Sequence, residues 1–211
     1  MKKILLIGDS IRQGYDKYVK MAFEGEAEVF FPEENCRFTV YILRDIVTWK
    51  SRFKLDETLD CIHWNAGLWD DLIWYDGKPL VPVEQYAEYV ERICVEIRRL
   101  FPNTKMIFAT STPVVEQEYT TTARYNADTE RYNAVAAEIV RRYGGEINDL
   151  YELMKDKPTF YHSDPTHYYT KDGTEVLTEQ VVSCIEKHLG IKAKKLNYEE
   201  LFEKKTDVIG H

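Results

Sequence analysis

The chain has no C-x-x-C pair; its four cysteines, Cys36, Cys61, Cys94 and Cys184, stand far apart. Metal-ligand spacing is therefore absent, and a chain of 211 residues is long enough to bury a core without a disulfide framework. Cys61 in a strand, and Cys94 and Cys184 in helices, are expected to pack as small apolar groups. A basic tract is also missing. With a formal net charge of -8, the surface gives phosphate backbones and anionic membranes no attraction, so neither nucleic acid nor membrane is an expected partner. Long apolar runs are absent as well. Ile4-Leu5-Leu6-Ile7 is too short for a secretory signal and is interrupted by Asp9 and Arg12, and no stretch approaches a membrane span. There is no internal repeat and no linker. What these absences leave is a cytoplasmic, folded protein, 44% hydrophobic and 30% charged.

The positive signal is alternation. Strand-like apolar runs occur at Lys3–Ile7, Glu28–Phe31, Asp60–Asn65, Lys105–Ser111 and Glu146–Asn148. Helical segments lie between and after them, at Ile11–Phe23, Phe38–Lys50, Val83–Phe101, Asn126–Tyr143 and Lys171–Leu189. Tyr86, Tyr89, Val90, Ile93 and Ile97 repeat at helical spacing, and Pro102-Asn103 stops that helix. Asn126 or Asp128 is expected to cap the following one. The strand runs are apolar on both faces, as in strands covered on both sides. Right-handed crossovers then give a three-layer α/β/α sandwich, flavodoxin-like, with about five parallel strands. Residues 1–190 are expected to form this domain, with 191–211 a charged, loosely packed extension of it. Ligands in such sheets bind beyond the strands' carboxyl ends, where Ser10, Asn35, Gly67 and Thr112 would fall.

Histidine is scarce, and that narrows the chemistry. Of the five histidines, His63 lies inside a strand, His188 ends a helix and His211 ends the chain. His162 and His167 share the segment YHSDPTHYYTKDG, in which Asp164 precedes His167 by three residues and Pro165 stiffens the turn. That spacing lets the carboxylate reach Nδ1 of the imidazole and leaves Nε2 outward. A serine needs such an oriented base to become a nucleophile. Ser10 ends the first strand at the same sheet edge. Plain helix capping by Ser10 is compatible with that role. A receiver-type phosphoaspartate at Asp9 is disfavoured, because no second acid accompanies it. Cys36 has no histidine partner in the sequence and is expected to be a packed thiol.

Gly8-Asp9-Ser10-Ile11 near one end, with Asp164-Pro165-Thr166-His167 near the other, resembles the SGNH (GDSL-type) hydrolases over nearly the whole chain. The resemblance implies a flavodoxin-like fold and a Ser10–His167–Asp164 triad, with no cofactor and no metal. It further implies an oxyanion hole fed by three blocks: the Ser10 N–H, a backbone N–H in Glu34-Asn35-Cys36-Arg37-Phe38-Thr39, and a side chain in Gly67-Leu68-Trp69-Asp70. Two departures stand out. Arg37 occupies the family's usual glycine, with Cys36 as its neighbour if the register slips. Trp69 occupies the family's usual asparagine, so that Trp69, Asn65 or neither supplies the third donor. The α/β-hydrolase pattern G-x-S-x-G is absent, since residue 12 is arginine.

These features imply a serine esterase acting on a small-molecule or oligosaccharide ester. Short acyl groups, acetyl first, on a carbohydrate or other small polar alcohol are expected, because no cap domain would shelter a long chain. Acyl transfer by the same triad, or non-catalytic binding of acylated ligands, is the alternative. Trp64, Trp69, Trp74 and Tyr75 are expected to be core or lid packing, with one or two against the cleft. Thr112-Pro113 and the polar residues from Asn126 to Asn133 are placed to reach a bound substrate, although helix capping is the preferred reading of Asn126. The aromatic stretch Tyr151–Tyr169 is expected to wall the acyl group.

Overall fold

Four consecutive aliphatic residues, Ile4 to Ile7, make Lys2–Ile7 a strand (β1) with no exposure from Ile4 onward. In this computed structural model, which describes residues 1–116 and 121–203, the alternation continues. The elements run α1 (Ser10–Ala22), β2 (Ala27–Phe30), α2 (Thr39–Arg52), β3 (Cys61–Trp64), β4 (Ile73–Trp74), α3 (Val83–Leu100) and β5 (Lys105–Ala109). They continue with β6 (Thr122–Ala123), α4 (Asn126–Arg142), β7 (Glu146–Asn148), α5 (Leu150–Met154), a 3-10 turn at Thr159–Tyr161, α6 (Lys171–Leu189) and α7 (Tyr198–Leu201).

Five strands pair in parallel in the order β2-β1-β3-β5-β7. Ile4 stands between Val29 and Cys61, and Ile62 aligns with Met106. Successive side chains alternate between two buried layers. Leu5, Ile7, Ile62, Trp64, Met106 and Phe108 face α2, α3 and α4. Ile4, Leu6, Cys61, Ile107 and Ala109 face α1 and α6. The result is the three-layer α/β/α sandwich, with all five strands of this sheet ending at one edge.

Some features differ from the sequence expectation. β4 and β6 form a separate antiparallel pair; two residues are too few to leave a periodic signal. Asn126 does not cap α4. It starts that helix after Tyr125, and its side chain instead pairs with both backbone groups of Val114, accepting at 2.8 Å and donating at 2.9 Å. Residues 191–203 are mostly exposed but tied to the domain: Lys194 N–H donates to Ala22 O, and Tyr198 is buried against Tyr18. The rest of that extension, 204–211, lies outside the described residues. No helix among the described residues is long and apolar enough to cross a membrane.

Because Ile62 is fully buried at the centre of the sheet, Ile62→Ala is expected to cost about 2–5 kcal/mol in urea unfolding. The exposed Val47→Ala should change stability by less than about 0.5 kcal/mol. Similar losses from both would contradict this account of the core.

Candidate active site

At the end of β1 the chain turns sharply through Gly8 and Asp9. A Cβ on Gly8 would collide with Asn65 Oδ1, so only glycine lets β1 and the end of β3 approach so closely. Asp9, rather than Ser10, caps α1: its Oδ1 accepts the Ile11 N–H at 2.9 Å and the Asn65 Nδ2–H at 3.0 Å. Ser10 is thereby the first helical residue. Its N–H is among those at a helix start with no carbonyl in their own helix to bond. Full burial raises the Asp9 carboxyl above its ordinary pKa, against the pull of Asn65 and Ile11.

The second contribution comes from the turn before α6. Asp164 Oδ1 accepts the backbone N–H groups of Thr166 and His167, both at 2.9 Å, which folds the carboxylate back over the turn. His167 Nδ1 then lies 2.8 Å from Asp164 Oδ2 and 2.9 Å from Oδ1. His167 Nε2 lies 2.7 Å from Ser10 Oγ. With Nδ1–H facing a carboxylate, Nε2 is the nitrogen left to accept the serine proton. Burial opposes ionisation of Asp164, but the hydrogen bonds from His167 and Thr166 overcome it and hold the carboxyl down at about 2. This side-chain chain can draw a proton off Ser10 and carry the resulting positive charge beside a fixed carboxylate.

The second block is organised by a residue whose role the sequence did not reveal. Arg12 is fully buried, and its guanidinium donates to Pro32 O at 2.8 Å, Glu34 O at 2.7 Å and Gly8 O at 3.3 Å, and pairs with Asp16. It ties α1 to the loop after β2. The one visible hint is the i, i+4 pairing of Arg12 with Asp16. Cys36 packs beside this guanidinium, fully buried, and burial pushes its thiol up to about 11. Arg37 has φ +47°, the left-handed conformation that favours glycine. An arginine thus holds a backbone shape that favours glycine, and its N–H donates to Asn35 Oδ1 at 2.9 Å.

In the third block, Asn65 is buried with its amide on Asp9. Gly67 has φ +150°, and a Cβ there would collide with Ser111 Oγ. Trp69 is half-buried, edge-on to Phe38 with centroids 6.5 Å apart. Beside it, Asp70 Oδ1 accepts the Thr39 hydroxyl at 2.6 Å and the Thr39 N–H at 3.1 Å, which pins this block to the start of α2. Asp71 Oδ2 accepts the Thr129 hydroxyl at 2.7 Å, which pins it to α4. Trp64 is core, packed on Phe108, whereas Trp74 on β4 and Tyr75 just after it are exposed.

Two other expectations change. Thr112 is fully buried, and Asn126 and Asn133 clamp the backbone of the loop after β5 at Val114 and Ser111. Within the aromatic stretch, Tyr168 and Tyr169 turn inward: Tyr168 donates to Pro113 O at 2.8 Å, and Tyr169 stacks on His167. They brace the turn that carries His167. No sequence period marked either tyrosine.

No family model matches the chain, and no curated protein matches it. Solved structures do. A lipase/acylhydrolase from Enterococcus faecalis is 22% identical, covering 93% of this chain and 100% of its own, with a TM-score of 0.68. The acetyl xylan esterase AlAXEase is 13% identical, covering 87% and 99%, with a TM-score of 0.69. A catalytic mutant of an acetylxylan esterase from Geobacillus stearothermophilus is 15% identical, covering 90% and 95%, with a TM-score of 0.63. The chain shares their fold.

Burial raises both Asp70 and Asp71 from 3.8 to about 7, against the hydrogen bonds from Thr39 and Thr129. A carboxyl whose folded pKa exceeds its unfolded one favours the fold below the unfolded pKa, and that contribution is lost as pH rises through the folded pKa. Asp71→Asn keeps an acceptor for Thr129 and removes the buried charge. Its stability relative to the unmodified protein should therefore rise between pH 4 and pH 7, measured by urea unfolding across that range. A difference constant with pH would contradict the assignment.

Proposed function

Starting from the fold of the GDSL-type (SGNH) acylhydrolases, we propose that this chain is a serine esterase with Ser10 as nucleophile, His167 as base and Asp164 as its orienting acid. The observation that carries the reading is the 2.7 Å contact between Ser10 Oγ and His167 Nε2, backed by Asp164 at 2.8 Å on the other nitrogen. Ser10 Oγ attacks the ester carbonyl while Nε2 takes its proton. Asp164, ionised at any working pH, keeps Nδ1 protonated and offsets the imidazolium charge. The imidazolium then returns the proton to the leaving alcohol. Water, deprotonated by the same nitrogen, releases the acid from the acyl-enzyme.

The oxyanion is met by the Ser10 N–H at the start of α1, where the helix dipole adds to the attraction. The Arg37 N–H joins once Asn35 Oδ1 gives it up. Of the third-block candidates, Asn65 Nδ2 gives one of its two N–H groups to Asp9 and is held by it, while the Trp69 indole N–H has no hydrogen-bond acceptor among the described residues and is the freer donor. Trp69 is therefore the third donor in this reading. Short acyl groups, acetyl first, on a carbohydrate or similar polar alcohol are the substrate class. The acetylxylan esterases among the structural relatives support that choice.

Ser10→Ala is expected to abolish ester turnover and fluorophosphonate labelling while leaving the unfolding curve unchanged. Ester turnover retained by the purified variant would overturn the assignment. Asp164→Asn should lower kcat about 10⁴-fold, and Trp69→Phe about 10²-fold or more with little change in KM. Across p-nitrophenyl esters of increasing acyl length, kcat/KM should be greatest at acetyl; a maximum at long chains would rule out the short-acyl reading. Added acceptor alcohols that divert the acyl group from water would point to transfer rather than hydrolysis.

A further inference from the structure

Tyr169 touches both partners of the Ser10–His167 contact. Its ring lies almost parallel to the imidazole, with centroids 4.8 Å apart and planes 23° apart. Its hydroxyl donates to the backbone carbonyl oxygen of Ser10. The side chain is 6% exposed, so neither contact has to compete with bulk water. Gly14, one turn along α1 from Ser10, makes room for it: a Cβ there would stand 2.8 Å from Tyr169 Cε1.

We propose that Tyr169 is a positioning residue for the esterase reaction, holding the imidazole of His167 in register with Ser10 and favouring the imidazolium that forms during attack. The inference rests on the reading of Ser10 and His167 given above. Serine and histidine reach the site on separate elements, the start of α1 and the turn before α6, 157 positions apart. Their alignment therefore depends on how those elements are fastened together. The Tyr169 hydroxyl fastens its own turn to the Ser10 backbone, and its ring fixes the imidazole plane two positions earlier in the same turn. When the proton moves from Ser10 Oγ to Nε2, the imidazole becomes a cation lying over an aromatic face. That attraction is larger where water is excluded. Because it arises only once the ring is charged, it favours the transition state over the resting enzyme.

Two substitutions separate the contributions. Tyr169→Phe keeps the aromatic face and loses the tie to Ser10; Tyr169→Leu loses both. With p-nitrophenyl acetate, kcat should fall about threefold in Tyr169→Phe and about tenfold or more in Tyr169→Leu, with KM within about twofold in each. The rate of fluorophosphonate labelling at Ser10 should fall in step with kcat. In proton NMR, the downfield signal of the His167 Nδ1–H bonded to Asp164 should stay sharp in Tyr169→Phe and broaden by exchange in Tyr169→Leu. A volume-filling role would lower the unfolding temperature without splitting kcat from KM or altering that signal, and such a result would overturn the proposal. Should Tyr169→Leu fail to fold, Tyr169→Phe decides, since an unchanged kcat and labelling rate there would exclude the tie to Ser10. Failure of the esterase reading is distinguishable: Ser10→Ala would then keep its turnover, while the NMR comparison still reports whether Tyr169 holds the imidazole.

Discussion

Every feature of the candidate site depends on one constraint: β1 pairs with β2 on one side and β3 on the other, all in parallel. Parallel strands buried on both faces must return through crossovers, so each strand ends at the same edge. The turn at Gly8-Asp9-Ser10, the loop from Pro32 to Phe38 and the segment from Asn65 to Asp71 consequently open side by side. The loop after β5 joins them, and its Val115 N–H donates at 2.8 Å to Pro165 O within the histidine turn. Aliphatic burial thus sets where the polar groups meet, although it contributes nothing to their chemistry.

That edge carries several charged groups with little access to water. A buried ion is tolerable only when partners replace its hydration. Arg12 meets the requirement with three backbone carbonyls and Asp16. Asp70 and Asp71 meet it less completely, each relying on a threonine from a neighbouring helix, and burial accordingly raises their pKa values. Asp164 is the contrasting case. Half-exposed and ringed by donors, it stays ionised. The acids that pin the third block to α2 and α4 are therefore the hard ones to ionise, and the acid beside His167 is the easy one.

The two positions at which the sequence departs from the pattern it resembles acquire physical meaning from the fold. The turn of the second block does not require a glycine, because Arg37 takes the left-handed backbone itself. A non-glycine residue costs about 1–2 kcal/mol there, and the Arg12 guanidinium binding the same loop helps to hold it. Trp69 is braced by Phe38 from the second block, so the second and third blocks pack on each other. Asn65, the alternative within the third block, gives one amide N–H to the cap residue Asp9.

Short-range patterning made much of this legible. Strand-like runs marked all five strands of the main sheet and left the five long helices between and after them, helical spacing marked the helix from Val83, and the three-residue step from Asp164 to His167 marked the turn in which acid and imidazole meet. Each of these is a local property, fixed by what a few neighbouring residues can bury or reach. What only the tertiary structure decided is non-local. It decided that Arg12 binds carbonyls about 20 residues away, that Asn126 clamps Val114 instead of capping its own helix, and that Tyr169 stacks on His167 while bonding the Ser10 carbonyl. A sequence records which groups are able to pair, but a buried polar group takes whichever partner the packed layers bring within about 3 Å, and that distance exists only after the layers close.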